Sequence, residues 1–156
     1  MNKIRRSEKK DIPIILELLE QVNKIHYEKR PDIFKLATKY TGISLQNIIK
    51  DDDTPVFVSV NENDKVEGYV FCIVKQKLND NLFTDVKTLY IDDLCVDENI
   101  RGKHIGTDLY NFVVDYAKSI GCYNITLNVW SCNKLALGFY EKLGLIPQKI
   151  CMEKIL

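Results

Sequence analysis

The sequence predicts a mixed α/β fold in one domain. Runs rich in β-branched and aromatic residues indicate strands in the first half, and apolar residues at helical spacing alternate with strand-like runs in the second half. No linker, internal repeat or low-complexity tract interrupts the 156 residues, a length that fits a single core. We therefore expect one domain over residues 1–156.

Composition is that of an ordinary globular protein, with 46% hydrophobic and 28% charged residues. The 22 basic and 22 acidic residues balance, so no global charge favours nucleic acid or a membrane surface. No apolar run approaches the roughly 20 residues that span a bilayer, and Met1–Arg6 lacks the apolar centre of a signal peptide. We expect a cytoplasmic protein whose partners include neither nucleic acid nor membrane.

The five cysteines are an odd number and contain no C-x-x-C pair. This spacing favours reduced thiols over a disulfide framework or structural zinc. His26 and His104 are too far apart to suggest a metal motif. We expect no metal.

The first predicted elements are a short strand over Lys3–Arg6 and a helix that Asp11 would cap. The helix ends before Pro31, because the residue before proline resists helical dihedral angles. A weaker helical segment follows near 45–49. The residues that recur at the spacing of one helix face are Ile15, Leu18, Leu19, Val22, Ile25 and His26.

A hairpin and a central strand come next. The runs 56–60 and 66–75 enclose the turn-forming residues 61–64, which predicts two antiparallel strands. Thr88–Val96 is apolar on both faces, which predicts a strand inside the sheet.

The C-terminal part alternates helical and strand patterns, and Gly121 and Gly144 are placed to end its two helices. In order, the predicted segments are a helix over 105–120, a strand over 125–130, a helix opened by Asn133 and a last strand over 146–152.

Two adjacent carboxylates, Asp92 and Asp93, lie in the predicted central strand. Unpaired buried charges are costly, so these residues need partners or a function. Strand alternation directs them to opposite faces unless a bulge intervenes. One could serve a site while the other pairs structurally, or both could pair with lysines at a frayed strand end.

The helix that begins near residue 105 is preceded by a basic, glycine-containing turn. A helix N-terminus presents unpaired N–H groups and a positive dipole end, which together favour an anion such as phosphate. The turn is neither a G-x-G-x-x-G nor a P-loop motif, which disfavours a dinucleotide or a nucleoside triphosphate. The alternative is an ordinary helix start with basic surface residues.

These residues resemble the GNAT superfamily of N-acetyltransferases. The family motif Arg/Gln-x-x-Gly-x-Gly/Ala corresponds to residues 101–106, with His104 in place of the fourth-position glycine. A second family motif, an asparagine followed by an alanine and an aromatic-tyrosine pair, corresponds to Asn133, Ala136, Phe139 and Tyr140. The resemblance implies a mostly antiparallel central sheet flanked by helices on both faces.

The resemblance also implies acetyl-CoA as co-substrate, an amine as acceptor and direct transfer in a ternary complex. Tyr140 would protonate the departing thiolate, although it also fits a plain core tyrosine. Asp92 is the first candidate, and Asp93 the second, for the base or the group that binds the amine. Asn133 would contact the cofactor, although a helix N-cap explains it equally well. The other residues implied to bind acetyl-CoA are Leu94, Cys95, Val96, Arg101, Gly102, Lys103, His104, Ile105, Gly106 and Thr107.

Two other functions stay open. The chain could be a non-catalytic acyl-CoA-binding regulatory module with the same fold, and a homodimer through a sheet edge or the C-terminal strand is compatible with either function. Several weaker site residues have simpler explanations: His26 fits a packing residue, Asn128 faces outward from a strand, and Cys132 has no basic partner to activate it. In the family, the first two helices build much of the acceptor site, which would bring in Tyr27, Arg30 and Asp32.

Overall fold

A computed structural model describes residues 2–100 and 102–156 and contains five strands and four α-helices in these ranges. The predicted mixed α/β class is confirmed. Two short 3₁₀ turns, Lys9–Asp11 and Glu98–Ile100, precede helices α1 and α3. In chain order the elements are β1 (Lys3–Arg6), α1 (Ile12–Lys29), α2 (Gly42–Ile48), β2 (Val56–Val60), β3 (Val66–Gln76), β4 (Lys87–Val96), α3 (Ile105–Ser119), β5 (Asn124–Leu127) and α4 (Lys134–Lys142).

The strands form one sheet in the order β1-β2-β3-β4-β5. The first four are antiparallel to their neighbours, which confirms the predicted hairpin, and β4 lies inside the sheet as predicted. β5 is parallel to β4, because α3 returns the chain to the same end of the sheet before β5 begins. The sheet is therefore mostly antiparallel.

The core has two layers, one on each face of the sheet. Helices α1 and α2 bury Ile15, Leu18 and Leu45 against one face. Helix α3 buries Leu109 and Val113 against the other. Helices on both faces were expected, and each helix presents the apolar stripe that its sequence spacing indicates.

Asp11 occupies the N-cap position of α1 as predicted, but its side chain makes no capping hydrogen bond to this helix. Its carboxylate instead accepts from the backbone N–H of Glu8 at 2.8 Å and from two guanidinium nitrogens of Arg5 at 2.8 and 3.0 Å. A bidentate pair with arginine stabilises a buried carboxylate better than one amide does, so Asp11 fastens β1 to the start of α1.

The helix α3 approaches the sheet closely over Gly68 of β3. A Cβ atom at this position would lie 3.0 Å from the carbonyl oxygen of Cys95 and 3.2 and 3.3 Å from the side chains of Leu109 and Ile105. Only glycine leaves room for this contact. The distance between α3 and the end of β4 therefore depends on Gly68.

The last predicted strand, 146–152, is wrong in this structure. Residues 146–156 are exposed and irregular, with a bend at Gln148, and they pair with no strand in the described part of the chain. The predicted strand over 125–130 also ends early, at Leu127. Alternating apolar residues favour extended backbone, but a strand also needs a neighbouring edge to pair with, and in the described part of the chain the C-terminal residues pair with none.

We expect Gly68→Ala to lower the free energy of unfolding by about 1–3 kcal/mol, because the added methyl group clashes with a backbone carbonyl that cannot rotate away. Urea denaturation of the purified protein measures this. Gly138→Ala in α4 is the matched control: its Cβ meets nothing within 4 Å, and alanine in a helix interior should stabilise by about 0.5–1 kcal/mol. Equal stability of Gly68→Ala and wild type would contradict the close approach.

Candidate active site

A β-bulge in β4 defines the site. In the ladder with β3, Phe71 opposes Asp93 and Cys72 opposes Ile91, so Asp92 is the extra residue. The bulge breaks the alternation, and Asp92 and Asp93 point to the same face, the one covered by α1 and α2. The exception to strand alternation named above, a bulge, therefore applies here, and the two carboxylates do not point to opposite faces.

Asp93 pairs with a tyrosine inside this face. The hydroxyl of Tyr69 donates to its carboxylate at 2.6 Å, and Tyr69 is fully buried. Loss of solvation raises the pKa of Asp93, while the Tyr69 hydrogen bond and Lys39 oppose the rise. Burial also raises the pKa of Tyr69, with the Asp93 charge adding to it. The carboxyl therefore binds a proton more readily than an exposed aspartate does.

Asp92 binds two neighbouring residues of the segment between α1 and α2. The Nζ of Lys39 lies 2.9 Å from its carboxylate, and the hydroxyl of Tyr40 donates to it. The ring of Tyr40 stacks on Phe71 at 5.4 Å between centroids, which holds the hydroxyl in place. Burial, followed by the Asp92 hydrogen bond, raises the pKa of Tyr40.

The sequence interpretation missed Lys39 and Tyr40. They lie in a segment with weak helical spacing and no motif, so no signal in the pattern singles them out. The lysine pairing that was expected at a frayed strand end does occur at Asp92, but the strand is not frayed there, since β4 stays paired with β3 as far as Val96.

Beyond the bulge, β4 and β5 part. Their parallel pairing ends where Ile91 opposes Leu127, and β5 does not extend beside the rest of β4. This leaves a gap in the sheet along Leu94, Cys95 and Val96, three of the residues that the resemblance implies to bind acetyl-CoA. The start of α3 and helix α4 meet at the same gap: a Cβ on Gly106 would lie 3.6 Å from Val96 and 3.4 Å from Phe139.

The turn into α3 contains two residues in the left-handed region, Gly102 with φ of 92° and His104 with φ of 60°. His104 occupies the motif position where the family has glycine. Its backbone is left-handed, a conformation that glycine adopts more readily than other residues, which explains why the family prefers glycine at this position. Arg101 lies outside the described residues. Lys103 is exposed and lines a polar cleft of about 290 Å³ with Asn61 and Glu67.

Ile105, Gly106 and Thr107 form the first turn of α3, a helix of 15 residues. The backbone N–H groups of a first helical turn have no partner within the helix, and the dipole makes this end positive. The next amide, that of Asp108, already donates to the His104 carbonyl at 2.9 Å. The turn is therefore suited to an anion approaching along the helix axis.

Helix α4 and its N-cap position Asn133 and Tyr140 of the second motif. The side chain of Asn133 accepts from the backbone N–H of Ala136 at 3.2 Å. Asn133 is therefore a helix N-cap, one of the two roles predicted for it. Tyr140 is partly buried, and among the described residues its hydroxyl has no hydrogen-bond partner. Burial raises the pKa of Tyr140, and the nearby Asp93 charge adds to the rise, so the phenol keeps its proton at neutral pH.

The weaker site candidates have structural contacts. His26 stacks on Phe34 at 5.0 Å, and burial, followed by the charge of Lys39, lowers its pKa, as expected of a packing residue. Arg30 forms ion pairs with Asp32 at 2.8 Å and with Glu153 at 3.0 Å. Asn128 lies beyond the end of β5, and its amide donates to the Tyr90 hydroxyl at 3.2 Å.

Within residues 2–100 and 102–156, no helix combines the length and apolarity that a membrane crossing requires. The same residues include no group of three His, Cys, Asp or Glu side chains arranged to hold a metal ion.

Known proteins resemble the chain in sequence and in fold. A glucosamine 6-phosphate N-acetyltransferase of Arabidopsis thaliana is 40% identical over 68 residues, which are 44% of this chain and 44% of that protein. An uncharacterized N-acetyltransferase of Methanocaldococcus jannaschii, MJ1207, is 29% identical over 151 residues, 94% of this chain and 62% of that protein. The chain thus spans less than two thirds of the length of these curated relatives.

Among solved structures, a mutant BH1408 protein from Bacillus halodurans has a TM-score of 0.94 and 32% identity, with 99% of each chain covered. The Acetyltransferase (GNAT) family matches residues 19–145, a range that includes both motifs, the bulged strand β4 and most of the two core layers. The resemblance first indicated by the two motifs is thereby confirmed, and the chain belongs to the GNAT family of acetyltransferases.

Proposed function

We propose that this protein is an acetyl-CoA-dependent N-acetyltransferase that moves an acetyl group to a primary amine of a small molecule or protein by direct transfer in a ternary complex. The observation that supports it most is the gap beside the end of β4. The start of α3, whose first backbone N–H groups are suited to an anion, lies at one side of this gap, and burial together with the charge of Asp93 raises the pKa of Tyr140.

In this proposal, the backbone N–H groups of Ile105, Gly106 and Thr107 bind the pyrophosphate of acetyl-CoA. Lys103 and Arg101 add positive charge at the same turn. The backbone of Leu94, Cys95 and Val96 would pair with the amide groups of the pantetheine arm, as an added strand pairs with a free sheet edge. Bound in this way, acetyl-CoA supplies the activated acetyl group as a thioester.

The acceptor must lose a proton before it attacks, because an alkylamine has a pKa near 10.4 and is cationic at neutral pH. The two carboxylates are suited to different parts of this task. Asp92, at the bulge, would hold the ammonium group in competition with Lys39. Asp93, whose pKa is raised, would take the proton directly or through a water molecule.

The acetyl group then passes from the sulfur of the thioester to the amine nitrogen. The neutral amine nitrogen forms a bond to the carbonyl carbon, the carbon–sulfur bond breaks, and the electron pair goes to sulfur. Tyr140 gives its proton to the departing thiolate. The second proton that the nitrogen loses passes to the Tyr140 phenolate, because Asp93 already holds the first, and Asp93 then releases that first proton to solvent. A buried phenol with a raised pKa keeps its proton until sulfur becomes negative.

The name of the Arabidopsis relative supports including an amino sugar phosphate among the acceptors to be tested. One contact favours the non-catalytic alternative: the ion pair between Lys39 and Asp92 already occupies the carboxylate that an amine would need. A turnover assay that detects free thiol, run with several amines, separates the enzyme from a binding module.

We expect acetyl-CoA to bind saturably and Arg101→Ala to weaken binding roughly tenfold, since one charge-assisted contact to phosphate is worth about 1.4 kcal/mol. Isothermal titration calorimetry measures both affinities. Lys118→Ala, at the opposite end of α3, is the control and should leave the affinity unchanged. Absence of saturable binding would contradict the proposed function.

Tyr140→Phe should reduce kcat by roughly 10²–10⁴-fold, because the thiolate then departs without a proton donor. Its affinity for acetyl-CoA should stay close to that of the wild type. Tyr116→Phe, another tyrosine-to-phenylalanine change on the far part of α3, should keep full turnover. If Tyr140→Phe turns over at the wild-type rate, the acid is another group.

The raised pKa of Asp93 gives a pH dependence with a definite sign. Below that pKa the carboxyl is protonated and cannot accept the amine proton, so kcat/KM should fall as pH decreases through it, at a pH above the ordinary aspartate value of about 3.9. Asp93→Asn should lower turnover at neutral pH and remove this acidic limb. Asp115→Asn, an exposed change on α3, should retain it. A limb that survives Asp93→Asn would assign the proton to a different residue.

A further inference from the structure

Lys39 lies where the proposed acceptor would place its ammonium group. Its Nζ is 2.9 Å from a carboxylate oxygen of Asp92 and 3.4 Å from the main-chain carbonyl oxygen of the same residue. The Nζ also lies 5.7 Å from the centre of the Tyr40 ring, so an aromatic face and a carboxylate both favour a cation at this point. A primary amine of the chain itself is therefore already bound at the acceptor position.

The groups proposed as base and acid lie near the same amine. Burial raises the pKa of Asp93, and the charge of Lys39 opposes the rise, so the ammonium is within electrostatic reach of the proposed base. Burial, followed by the charge of Asp93, raises the pKa of Tyr140, the proposed acid. Asp92 comes two residues before Leu94, where the gap in the sheet begins, a step of about 7 Å along a strand.

The Lys39 side chain is free to move away from its ion pair. It is 46% exposed, whereas the side chain of Asp92 is 11% exposed. An ion pair with one partner in solvent is weak, and the four-carbon stem of lysine is flexible. Residues 30–41, the segment that carries Lys39, contain no helix or strand. The nitrogen can therefore leave Asp92 and move along β4 while the carboxylate stays in place.

We propose that Lys39 is a site of self-acetylation, at which the Nζ amine accepts an acetyl group from acetyl-CoA bound to the same chain. The inference rests on the proposed function, because it takes the position beside Asp92 as the acceptor position. It adds a covalent modification of the protein itself to the acetylation of a separate amine.

The step follows the chemistry proposed for any acceptor. One proton of the Lys39 ammonium passes to Asp93, which releases it to solvent, and Nζ then forms a bond to the thioester carbonyl carbon. The carbon–sulfur bond breaks and its electron pair goes to sulfur. Tyr140 protonates the sulfur, and the second proton that the nitrogen loses returns to the Tyr140 phenolate. The products are acetyl-lysine and a free thiol.

Acetylation changes the acceptor position. It removes the positive charge of Lys39, so the ion pair with Asp92 is lost, while the Tyr40 hydroxyl still donates to that carboxylate. Asp92 then binds the ammonium group of a separate acceptor without competition from the lysine. The first acetyl group thus opens the site that Lys39 occupies in the unmodified chain.

Mass spectrometry of the full chain tests the proposal. After incubation with acetyl-CoA in an amine-free buffer, we expect an increase of about 42 Da on the peptide that contains Lys39. Lys35, an exposed lysine of the same segment, is the matched internal reference. Lys39 should react roughly 100-fold faster than Lys35, because a positioned amine reacts at a high effective concentration. In heat-unfolded protein the two lysines should react at similar, slow rates.

Two charge-preserving substitutions separate this site from chance modification. Lys39→Arg keeps a cation beside Asp92 but has no nucleophilic amine, so the fast mass increase should disappear, whereas Lys35→Arg should retain it. Circular dichroism confirms that both variants fold. The rate should stay constant over about a tenfold range of protein concentration, because donor and acceptor belong to one chain. A rate proportional to protein concentration would assign the transfer to a second copy and overturn the proposal.

Failure of this inference is distinguishable from failure of the proposed function. If acetyl-CoA binds but Lys39 reacts no faster than Lys35, self-acetylation is wrong, whereas acetylation of a separate amine by the same protein would still support the proposed function. If calorimetry detects no binding of acetyl-CoA, the proposed function is wrong, and self-acetylation is wrong with it.

Discussion

The bulge at Asp92 is the constraint on which the site depends. One extra residue in β4 turns two consecutive carboxylates to the same face and shifts the register of the strand against β3. The parallel pairing with β5 ends at the residue just before the bulge. A single local irregularity thus places the acidic groups and opens the gap at the end of β4 beside them.

Two carboxylates on a half-buried face are stable only because the neighbouring segments supply donors. Tyr69 of β3 bonds to Asp93, and the segment before α2 contributes Lys39 and Tyr40 to Asp92. The aromatic rings of Tyr69 and Tyr40 both pack on Phe71, so the donors are held by the core and not only by the charges. The segment between α1 and α2, which has little pattern of its own, acquires a fixed position through these contacts.

Much of the fold follows from local patterns. The hairpin, the central strand and α1, α3 and α4 have strong periodicity and end signals, and the structure contains them with small changes in bounds. The bulge was not predictable, because it depends on the register between two strands and leaves no signature in one of them. Lys39 and Tyr40 were missed for a similar reason: their role arises from contacts with residues more than 50 positions away. The C-terminal strand failed because alternation predicts an extended conformation but cannot supply the edge on which it would pair.

His104 shows which features of the α3 turn are essential. Its left-handed backbone costs roughly 1–2 kcal/mol in a residue with a side chain, yet the turn keeps the shape that a glycine would allow. Gly102 absorbs the other left-handed step without cost, and α3 begins directly after His104. Because anion binding at a helix start uses backbone N–H groups, the side chain at 104 can change as long as the backbone conformation is preserved. The imidazole is exposed, and the buried residues by which α3 packs on the sheet begin only with Ile105, so a change of side chain at 104 removes none of these contacts.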